Sequence, residues 1–324
     1  MPFVFEGPSE SEDFTVNDCD PNDPPKHSSP GQATTMGRCP RQYYYAYPCG
    51  IKSPPNGKLL IGSSTHRAAE VSMINKQDSG ELLSNDDVAG VAAQTAHDYL
   101  SKPHALDDGE SEAKVIDTSV ALARTWNEDF GPLREPLRGK TLAKAAKTFD
   151  RWNASGESES QQAKDERDAG SFRGIEARIE LTHKRLRRPV VGYIDLIEDE
   201  AENGLVSIRD IKTTGRKKAA WELRSLQMVT YSIAVRSAGM GILSIGYDVL
   251  LNPSKTRPFG ASQIVEDFAP TKEVMKSVID VYADVDDRLQ KGVFPPNYGM
   301  HCSWCGYKAL CDKDHSTTYI PMSV

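Results

Sequence analysis

The sequence of 324 residues lacks the features that mark membrane, exported and motor proteins. No apolar run approaches the roughly 20 residues that cross a bilayer, so we expect no membrane partner. The start of the chain is acidic and lacks the basic residues and apolar stretch of a signal peptide, which makes a cytoplasmic protein the expectation. No complete Gly-x₄-Gly-Lys-Ser/Thr loop for ATP is present, which excludes a P-loop motor, and no internal repeat is found.

Cysteine and positive charge are also scarce. The six cysteines of a cytoplasmic protein are expected to be thiols or metal ligands rather than disulfides. The net charge of −7 is concentrated at the start, because residues 1–30 hold seven acidic residues against Lys26. Between 184 and 224, by contrast, ten basic residues outnumber seven acidic ones. Phosphate binding depends on local charge, so the acidic total does not exclude it, although such a cluster is as often a solvated surface.

Changes of hydrophobic period along the chain predict an α/β protein. Residues 1–30 form an acidic tail without apolar anchors, which is expected to be disordered, and residues 31–324 are expected to form a single domain. A low-complexity stretch at 153–170 predicts a flexible loop, and 301–311 is a cysteine-rich segment. The predicted helices are 63–76, 84–101, 112–149, 218–238 and 271–290, of which the second and third make up a helical segment 84–149. The predicted strands are 172–182, 189–197, 205–213, 241–251 and 263–268.

The pattern Asp-Ile-Lys at 210–212 places two unlike charges on one face of a strand. Side chains alternate along a strand, so Asp210 and Lys212 point the same way. A hairpin through 198–204 would bring Asp195 beside Asp210, and two close carboxylates repel unless a cation lies between them. Oxygen ligands of this kind, with the carbonyl of Ile211 as a further one, suit Mg²⁺ or Mn²⁺. Taken alone, the tripeptide is more often an ordinary surface ion pair.

Three further features make a metal-dependent phosphodiesterase site the better interpretation. His66 and Glu70 share a helix face, with His66 as a metal ligand and Glu70 as the residue that orients it. Gln227 and Tyr231 have the same spacing and can face Lys212. A carboxylate at Glu176, on the strand before Asp195, can add to the site. For each the alternative stays open: a structural histidine, a partly buried polar face and a solvent-facing strand residue.

Four cysteines at the two ends of the chain predict a soft-metal site. Cys302, Cys305 and Cys311 lie close together, so a fourth ligand must come from far upstream. Cys39 is the better candidate and Cys49 the alternative. Thiolates bind Zn²⁺ or iron–sulfur clusters, and both remain open from the spacing alone.

Together these segments resemble the RecB-like branch of the PD-(D/E)XK nuclease superfamily. Within that branch they are most similar to the iron–sulfur nucleases, which include the CRISPR-associated exonuclease, the AddB nuclease domain and eukaryotic exonuclease V. The similar motifs are Cys-Pro-Arg-Gln-Tyr-Tyr-Tyr at 39–45, Gly-Ser-Ser-Thr-His-Arg-Ala-Ala-Glu at 62–70, Gly-Tyr-Ile-Asp at 192–195, Asp-Ile-Lys at 210–212, Gln-Met-Val-Thr-Tyr at 227–231 and Cys-x₂-Cys-x₅-Cys at 302–311.

The resemblance implies a restriction-endonuclease-like core, with a central mixed sheet flanked by helices, a helical amino-terminal insertion and an iron–sulfur clasp. It implies catalysis by Lys212, supported by Gln227 and Tyr231, and favours a [4Fe–4S] cluster over Zn²⁺. The metal ligands it implies are His66, Asp195, Asp210 and the Ile211 carbonyl, and the cluster ligands are Cys39, Cys302, Cys305 and Cys311.

The implied activity is a DNA exonuclease that uses Mg²⁺ or Mn²⁺ on single-stranded DNA or DNA ends and that can also have endonuclease activity. The implied setting is recombination, repair, phage DNA metabolism or CRISPR adaptation in a bacterial, archaeal or phage-infected cell, with a helicase, recombinase or CRISPR integrase as partner. The alternative is a non-catalytic, nuclease-like subunit that binds DNA ends or another protein. A zinc-ribbon protein without catalysis would leave the acidic residues unexplained.

Overall fold

A computed structural model describes residues 25–107, 109–137, 174–200, 205–238, 240–253, 259–268 and 270–315. The predicted flexible loop, most of the acidic tail and the last part of the predicted helical segment lie outside these residues. Contacts divide the chain into two compact units. The cysteine unit comprises Met1–Pro54, Arg185–Val190 and Ile279–Val324, and the sheet unit comprises Pro55–Lys184 and Val191–Val278.

Five strands form one mixed sheet in the order β1-β2-β3-β4-β5. Strands β2 and β3 pair antiparallel, β3 and β4 pair parallel, and β4 and β5 pair antiparallel. The parallel step needs a crossover, which the helical segment between β3 and β4 supplies. The strands are β1 (Ile175–Leu181), β2 (Val190–Glu200), β3 (Leu205–Thr214), β4 (Gly241–Leu251) and β5 (Gly260–Asp267).

Eight α-helices lie within the described ranges, and several begin at side-chain caps. Asn56 accepts a hydrogen bond from the Leu59 amide at 3.0 Å, and Ser225 accepts one from the Met228 amide at 3.3 Å, which satisfies first-turn donors. The helices are α1 (Pro30–Arg38), α2 (Pro40–Ala46), α3 (Gly57–Ser79), α4 (Asn85–Leu100), α5 (Glu112–Asp129), α6 (Leu226–Ser237), α7 (Lys272–Lys291) and α8 (Lys308–His315). Among these described helices none combines the length and the apolar character needed to cross a membrane.

Helices cover both faces of the sheet within the sheet unit. On one face, α3 and α5 pack against the strands through a buried cluster that includes Trp126 and Ile211. On the other face, α6 packs through a cluster that includes Met228, Tyr231 and Ile208. Because residues alternate along β3, Asp210 and Lys212 share the face of Ile208 and so lie under α6. The crossover helix therefore covers the acidic end of β3.

Several predictions of local structure are wrong in their bounds, and the predicted helix 63–76, for example, is the longer α3, Gly57–Ser79. The predicted helix 218–238 is a 3₁₀ helix, Ala220–Arg224, followed by α6, because the cap at Ser225 starts a new helix. The predicted helix from 112 ends at Asp129, just before Gly131 and Pro132. Helices α1 and α2 were not predicted, although the Ser29 cap and a proline at the first position of each helix are typical helix starts.

Candidate active site

Asp195 and Asp210 lie just beyond the paired end of the hairpin formed by β2 and β3. The register runs from Glu200 paired with Leu205 to Leu196 paired with Arg209, so each aspartate is the next residue outward on its strand. There the Ile211 amide donates a hydrogen bond of 2.7 Å to Asp195 Oδ2. A side chain thus takes the place of a backbone acceptor. The predicted hairpin brings both carboxylates to one place.

Lys212 and Gln227 close a polar network on Asp210. The ammonium of Lys212 lies 2.6 Å from Asp210 Oδ2, and Gln227 donates to Asp210 Oδ1 at 3.0 Å. The Gln227 side chain accepts from Lys212 at 3.3 Å and its amide nitrogen donates to the Tyr231 hydroxyl at 3.1 Å. A side-chain carbon at Gly192 would stand 2.7 Å from the Tyr231 ring, so this glycine of β2 lets the tyrosine approach. The structure therefore brings together these four predicted residues.

His66 reaches the same place from α3. Its Nδ1 lies 3.3 Å from Asp195 Oδ2. The sequence suggested that Glu70 orients His66. Glu70 instead forms an ion pair of 2.7 Å with Arg67, one turn earlier on the same helix. Asp195 holds the imidazole instead. For Ile211 the described contact is its amide with Asp195, and its carbonyl as a metal ligand stays a prediction.

Glu176 is a further residue of the site, for which the sequence left two interpretations open, an added carboxylate and a solvent-facing strand residue. One ligand atom from each of His66, Glu176 and Asp195 lies within 4.8 Å of the other two. Glu176 has a φ of 46°, a left-handed conformation that costs energy in a residue other than glycine. No local sequence signal predicts such a conformation in a strand. We call His66, Glu176, Asp195 and Asp210 the acidic site.

Burial and neighbouring charges affect the two aspartates in opposite directions. Burial acts to raise the pKa of Asp195, but the paired His66 outweighs it and the pKa is lowered. Burial and the charge of Asp195 raise the pKa of Asp210 against the opposing effect of Lys212. Burial and Asp195 also raise the pKa of Glu176 to about 7. The acidic site therefore holds more negative charge than its surroundings neutralise.

The two basic groups of the network keep their protons at neutral pH. Burial acts to lower the pKa of His66, but the Asp195 carboxylate outweighs it and raises this pKa to about 9. Burial also acts to lower the pKa of Lys212, and Asp210 again outweighs it, so the pKa is raised. A protonated lysine can donate hydrogen bonds and stabilise negative charge, but it cannot take a proton.

The donor set of the acidic site fits a hard divalent cation. Its ligand atoms are carboxylate oxygens and one imidazole nitrogen, which suit Mg²⁺ and Mn²⁺. Asp210 Oδ2 is buried and, within the described part of the chain, receives no hydrogen bond of good geometry, even from the nearby Lys212. A cation supplies such an oxygen with the partner that it lacks.

The four predicted cysteine ligands line one cavity of the cysteine unit. This thiol cavity, of about 270 Å³, includes Cys39, Cys302, Cys305 and Cys311 in its lining. All four are free thiols, whereas Cys49, the alternative ligand, is disulfide-bonded and does not line the cavity. The expectation that no cysteine forms a disulfide is therefore wrong for Cys49.

Few polar contacts hold the thiols. Cys39 Sγ accepts from the Asn297 amide at 3.5 Å, and Cys302 Sγ lies 3.9 Å from the Asn297 carbonyl. Burial, followed by the charge that a neighbouring Cys39 thiolate would carry, raises the pKa of Cys311 to about 11. Burial likewise raises the pKa of Cys305, and binding a metal ion at these two cysteines would release their protons.

Comparison with known proteins gives a family match. A sequence profile of the PD-(D/E)XK nuclease superfamily matches residues 27–312, which is most of the chain and includes both the acidic site and the thiol cavity. No curated protein matches the chain with significant similarity. The predicted fold class, a central mixed sheet flanked by helices, is confirmed.

Proposed function

The chain belongs to the PD-(D/E)XK nuclease superfamily, and we propose that it is a divalent-metal-dependent DNA exonuclease of the RecB-like branch that acts on single-stranded DNA. One observation carries this proposal: Gln227 ties Asp210, Lys212 and Tyr231 into one hydrogen-bonded network beside Asp195. A nuclease-like adaptor that only binds DNA would not need a buried lysine–aspartate pair, whose burial is costly. The complete network thus favours an enzyme over the non-catalytic alternative.

His66, Asp195, Asp210 and Glu176 would hold the cation in the acidic site. When bound, Mg²⁺ or Mn²⁺ supplies Lewis acidity toward a phosphate oxygen and toward the attacking water. Bringing these carboxylates together without a cation is unfavourable, as the raised pKa of Asp210 indicates. The residues present therefore both fit the metal and gain stability from it.

Lys212 stabilises the charge that develops on the phosphate. The Lys212 ammonium, 2.6 Å from Asp210 Oδ2, is placed as an electrostatic donor to that charge. Gln227 accepts a hydrogen bond from this ammonium while it donates one to Asp210, so it sets the distance between the two charges. The Tyr231 hydroxyl accepts a hydrogen bond from the Gln227 amide nitrogen and so holds Gln227 in place.

The proposed cofactor of the thiol cavity is a [4Fe–4S] cluster, bound by Cys39, Cys302, Cys305 and Cys311. Zn–S bonds of about 2.3 Å in a tetrahedron would hold the sulfurs about 3.8 Å apart. Among the described residues, possible ligand atoms lie within 4.8 Å of one another at His66, Glu176 and Asp195. This group is in the sheet unit and contains no cysteine. The resemblance, and not the spacing of the thiols, favours a cluster over one zinc ion. When bound, the cluster supplies four metal–thiolate bonds and thereby folding free energy.

The biological setting follows from the resemblance alone. We place the protein in the cytoplasm of a bacterial, archaeal or phage-infected cell, in DNA recombination, repair or CRISPR adaptation. A helicase, a recombinase or an integrase would supply the unwound DNA, because the sequence carries no P-loop for ATP.

A nuclease assay tests the function. The full chain is incubated with 5′- and 3′-labelled single- and double-stranded DNA in Mg²⁺, Mn²⁺ or EDTA. We expect metal-dependent degradation of single strands from an end, and a loss of at least about 100-fold in Lys212→Ala, because one charged donor to the transition state is removed. Lys58→Ala is the matched control, since Lys58 also pairs with an aspartate but lies exposed. Cleavage in EDTA, or full activity of Lys212→Ala, would overturn the proposal.

A further inference from the structure

An exposed tryptophan stands in a basic segment between the residues of the acidic site's network. Residues 215–225 join Lys212 on β3 to Gln227 on α6. Within this segment Trp221 is 73% exposed, although tryptophan side chains are usually largely buried. The same segment holds Arg216, Lys217, Lys218 and Arg224 against one acidic residue, Glu222, and so has a net charge of +3.

The backbone that carries Trp221 is rigidly held. Glu222 accepts hydrogen bonds from Arg216 at 2.8 Å, from Lys218 at 2.9 Å and from the Ala219 amide at 2.9 Å. On the other side of the same 3₁₀ helix, Leu223 is fully buried in the core under α6. The indole is therefore presented to solvent by a fixed backbone, and it is not the end of a loose loop.

One tyrosine connects this segment to the catalytic lysine. The Tyr247 hydroxyl donates to the Glu222 carbonyl at 3.1 Å and lies 3.0 Å from the Ser225 hydroxyl. The ring of the same tyrosine lies 5.6 Å from the Lys212 ammonium. The backbone next to Trp221 is thus about one tyrosine side chain away from Lys212. A short stretch of single-stranded DNA can span that distance.

The cations of the segment are not all neutralised. Arg216 and Lys218 share the single carboxylate of Glu222, and Arg224 pairs with Glu266 of β5. Lys217 is exposed and has no ion pair with the residues that the structure describes. Surplus positive charge next to an exposed aromatic ring is the combination that binds unpaired nucleotides, with phosphates on the cations and a base on the ring.

We propose that Trp221, with Arg216, Lys217 and Lys218, forms a stacking platform that holds single-stranded DNA beside Lys212. The inference rests on the proposed nuclease function and adds the site that selects the strand. Bases inside a duplex are already stacked on their neighbours and cannot reach the indole, so the platform favours single strands and frayed ends. A stacked base next to Lys212 would fix the position of the neighbouring phosphodiester.

DNA affinity measured without cleavage tests the platform separately from the enzyme. The full chain is titrated into fluorescently labelled oligothymidylate in EDTA, and the anisotropy is recorded for wild type, Trp221→Ala, Trp221→Phe and Lys217→Ala. We expect Trp221→Ala to weaken single-strand binding about tenfold, since stacking of one base is lost. Trp221→Phe should retain most of the affinity, and blunt duplex binding should change less than twofold.

Leu133→Ala is the matched control, because Leu133 is 65% exposed and also lies in a 3₁₀ helix. Circular dichroism melting curves of all variants should match wild type, as the replaced side chains are exposed. The platform is overturned if Trp221→Ala binds single strands as well as the Leu133→Ala control does. That result would be expected if the surface docks an acidic protein instead of DNA. The platform is also overturned if Trp221→Ala loses affinity for duplex DNA as much as for single strands. Should the chain bind single strands through Trp221 and cleave nothing, the platform stands and the nuclease proposal fails.

Discussion

The acidic site and the thiol cavity hold their side chains in different ways. In the acidic site protein groups contact both aspartates: His66 contacts Asp195, and Lys212 and Gln227 contact Asp210. In the thiol cavity the contacts described for the cysteines are those of Cys39 and Cys302 with Asn297 and of Cys305 with the Tyr307 backbone, around a space of about 270 Å³. The first site is assembled by protein contacts and the second depends on what it binds.

This difference separates activity from stability. Neutralising Asp210, whose pKa is raised, relieves repulsion between buried carboxylates and removes a proposed metal ligand, so stability should rise while activity falls. Removing a thiol takes away a bond to the proposed cluster, so stability should fall first. The predictions below rank the effects from the largest to the smallest.

The largest effect is expected for Cys305→Ala. A cluster that joins points about 260 residues apart in sequence offsets a loop-closure cost of roughly 5 kcal/mol. Losing one ligand should abolish the visible absorption of the anaerobically purified protein and lower its melting temperature by about 10 °C. Ser303→Ala, an exposed neighbour in the same segment, should change neither, and Cys49→Ala should keep the absorption. A colourless wild-type protein that contains zinc would refute the iron–sulfur cluster. It would still support a metal site that joins the two ends of the chain.

Asp210→Asn should separate activity from stability in the acidic site. We expect nuclease activity to fall about 1,000-fold, because a metal ligand is replaced by a neutral group. Since the pKa of Asp210 is raised above its ordinary 3.8, the folded protein holds this proton more tightly than the unfolded chain. The wild type therefore loses stability as the pH rises above 3.8 and through the folded pKa, and the asparagine removes that loss.

Thermal melts in EDTA at pH 5 and pH 8 measure this effect. The variant should melt a few degrees above the wild type at pH 8, with a smaller gap at pH 5. Added Mn²⁺ should raise the melting temperature of the wild type and not that of the variant. A variant that melts below wild type in EDTA at pH 8 would show that the Lys212 ion pair outweighs the repulsion.

The sequence predicts contacts within one element better than contacts between elements. Spacing alone placed Asp210 with Lys212 and Gln227 with Tyr231, because strand and helix periods are fixed. The hairpin turn then accounts for Asp195. The resemblance supplied the order of the motifs, and the superfamily match agrees with the fold that it implied.

What the sequence missed depends on competition between partners. Glu70 has His66 and Arg67 within reach on its own helix, and the structure shows the pair with Arg67. The left-handed backbone of Glu176 is stable only in the folded surroundings, so no local pattern reports it. The sequence also did not predict that Trp221 is exposed. A new helix starts at Ser225, and in the 3₁₀ helix before it Leu223, not Trp221, is buried.

Metal binding to the acidic site should release protons. His66, with a pKa of about 9, and Glu176, with a pKa of about 7, must lose theirs before they can bind a cation. We therefore expect Mn²⁺ affinity to rise at least tenfold between pH 6.5 and pH 8.5. Calorimetric titrations in two buffers of different ionisation enthalpy count the protons. His66→Ala should remove the release at the upper end of this range, whereas His104→Ala, a histidine paired with Glu112, should not. A flat affinity over this range would place the metal away from His66.

The smallest effect is expected for Glu176→Gln, which tests whether the acidic site extends beyond its two aspartates. The amide keeps the shape of the side chain and removes its negative charge, so Mn²⁺ affinity should fall roughly tenfold, about 1.4 kcal/mol. Activity at saturating Mn²⁺ should recover, because Lys212 and Gln227 stay in place. Glu180→Gln is the matched control on the same strand, where the carboxylate pairs with Arg178 at 2.9 Å. If saturating metal does not restore activity, Glu176 acts on the substrate and not on the cation, and the left-handed backbone that aims it serves catalysis directly.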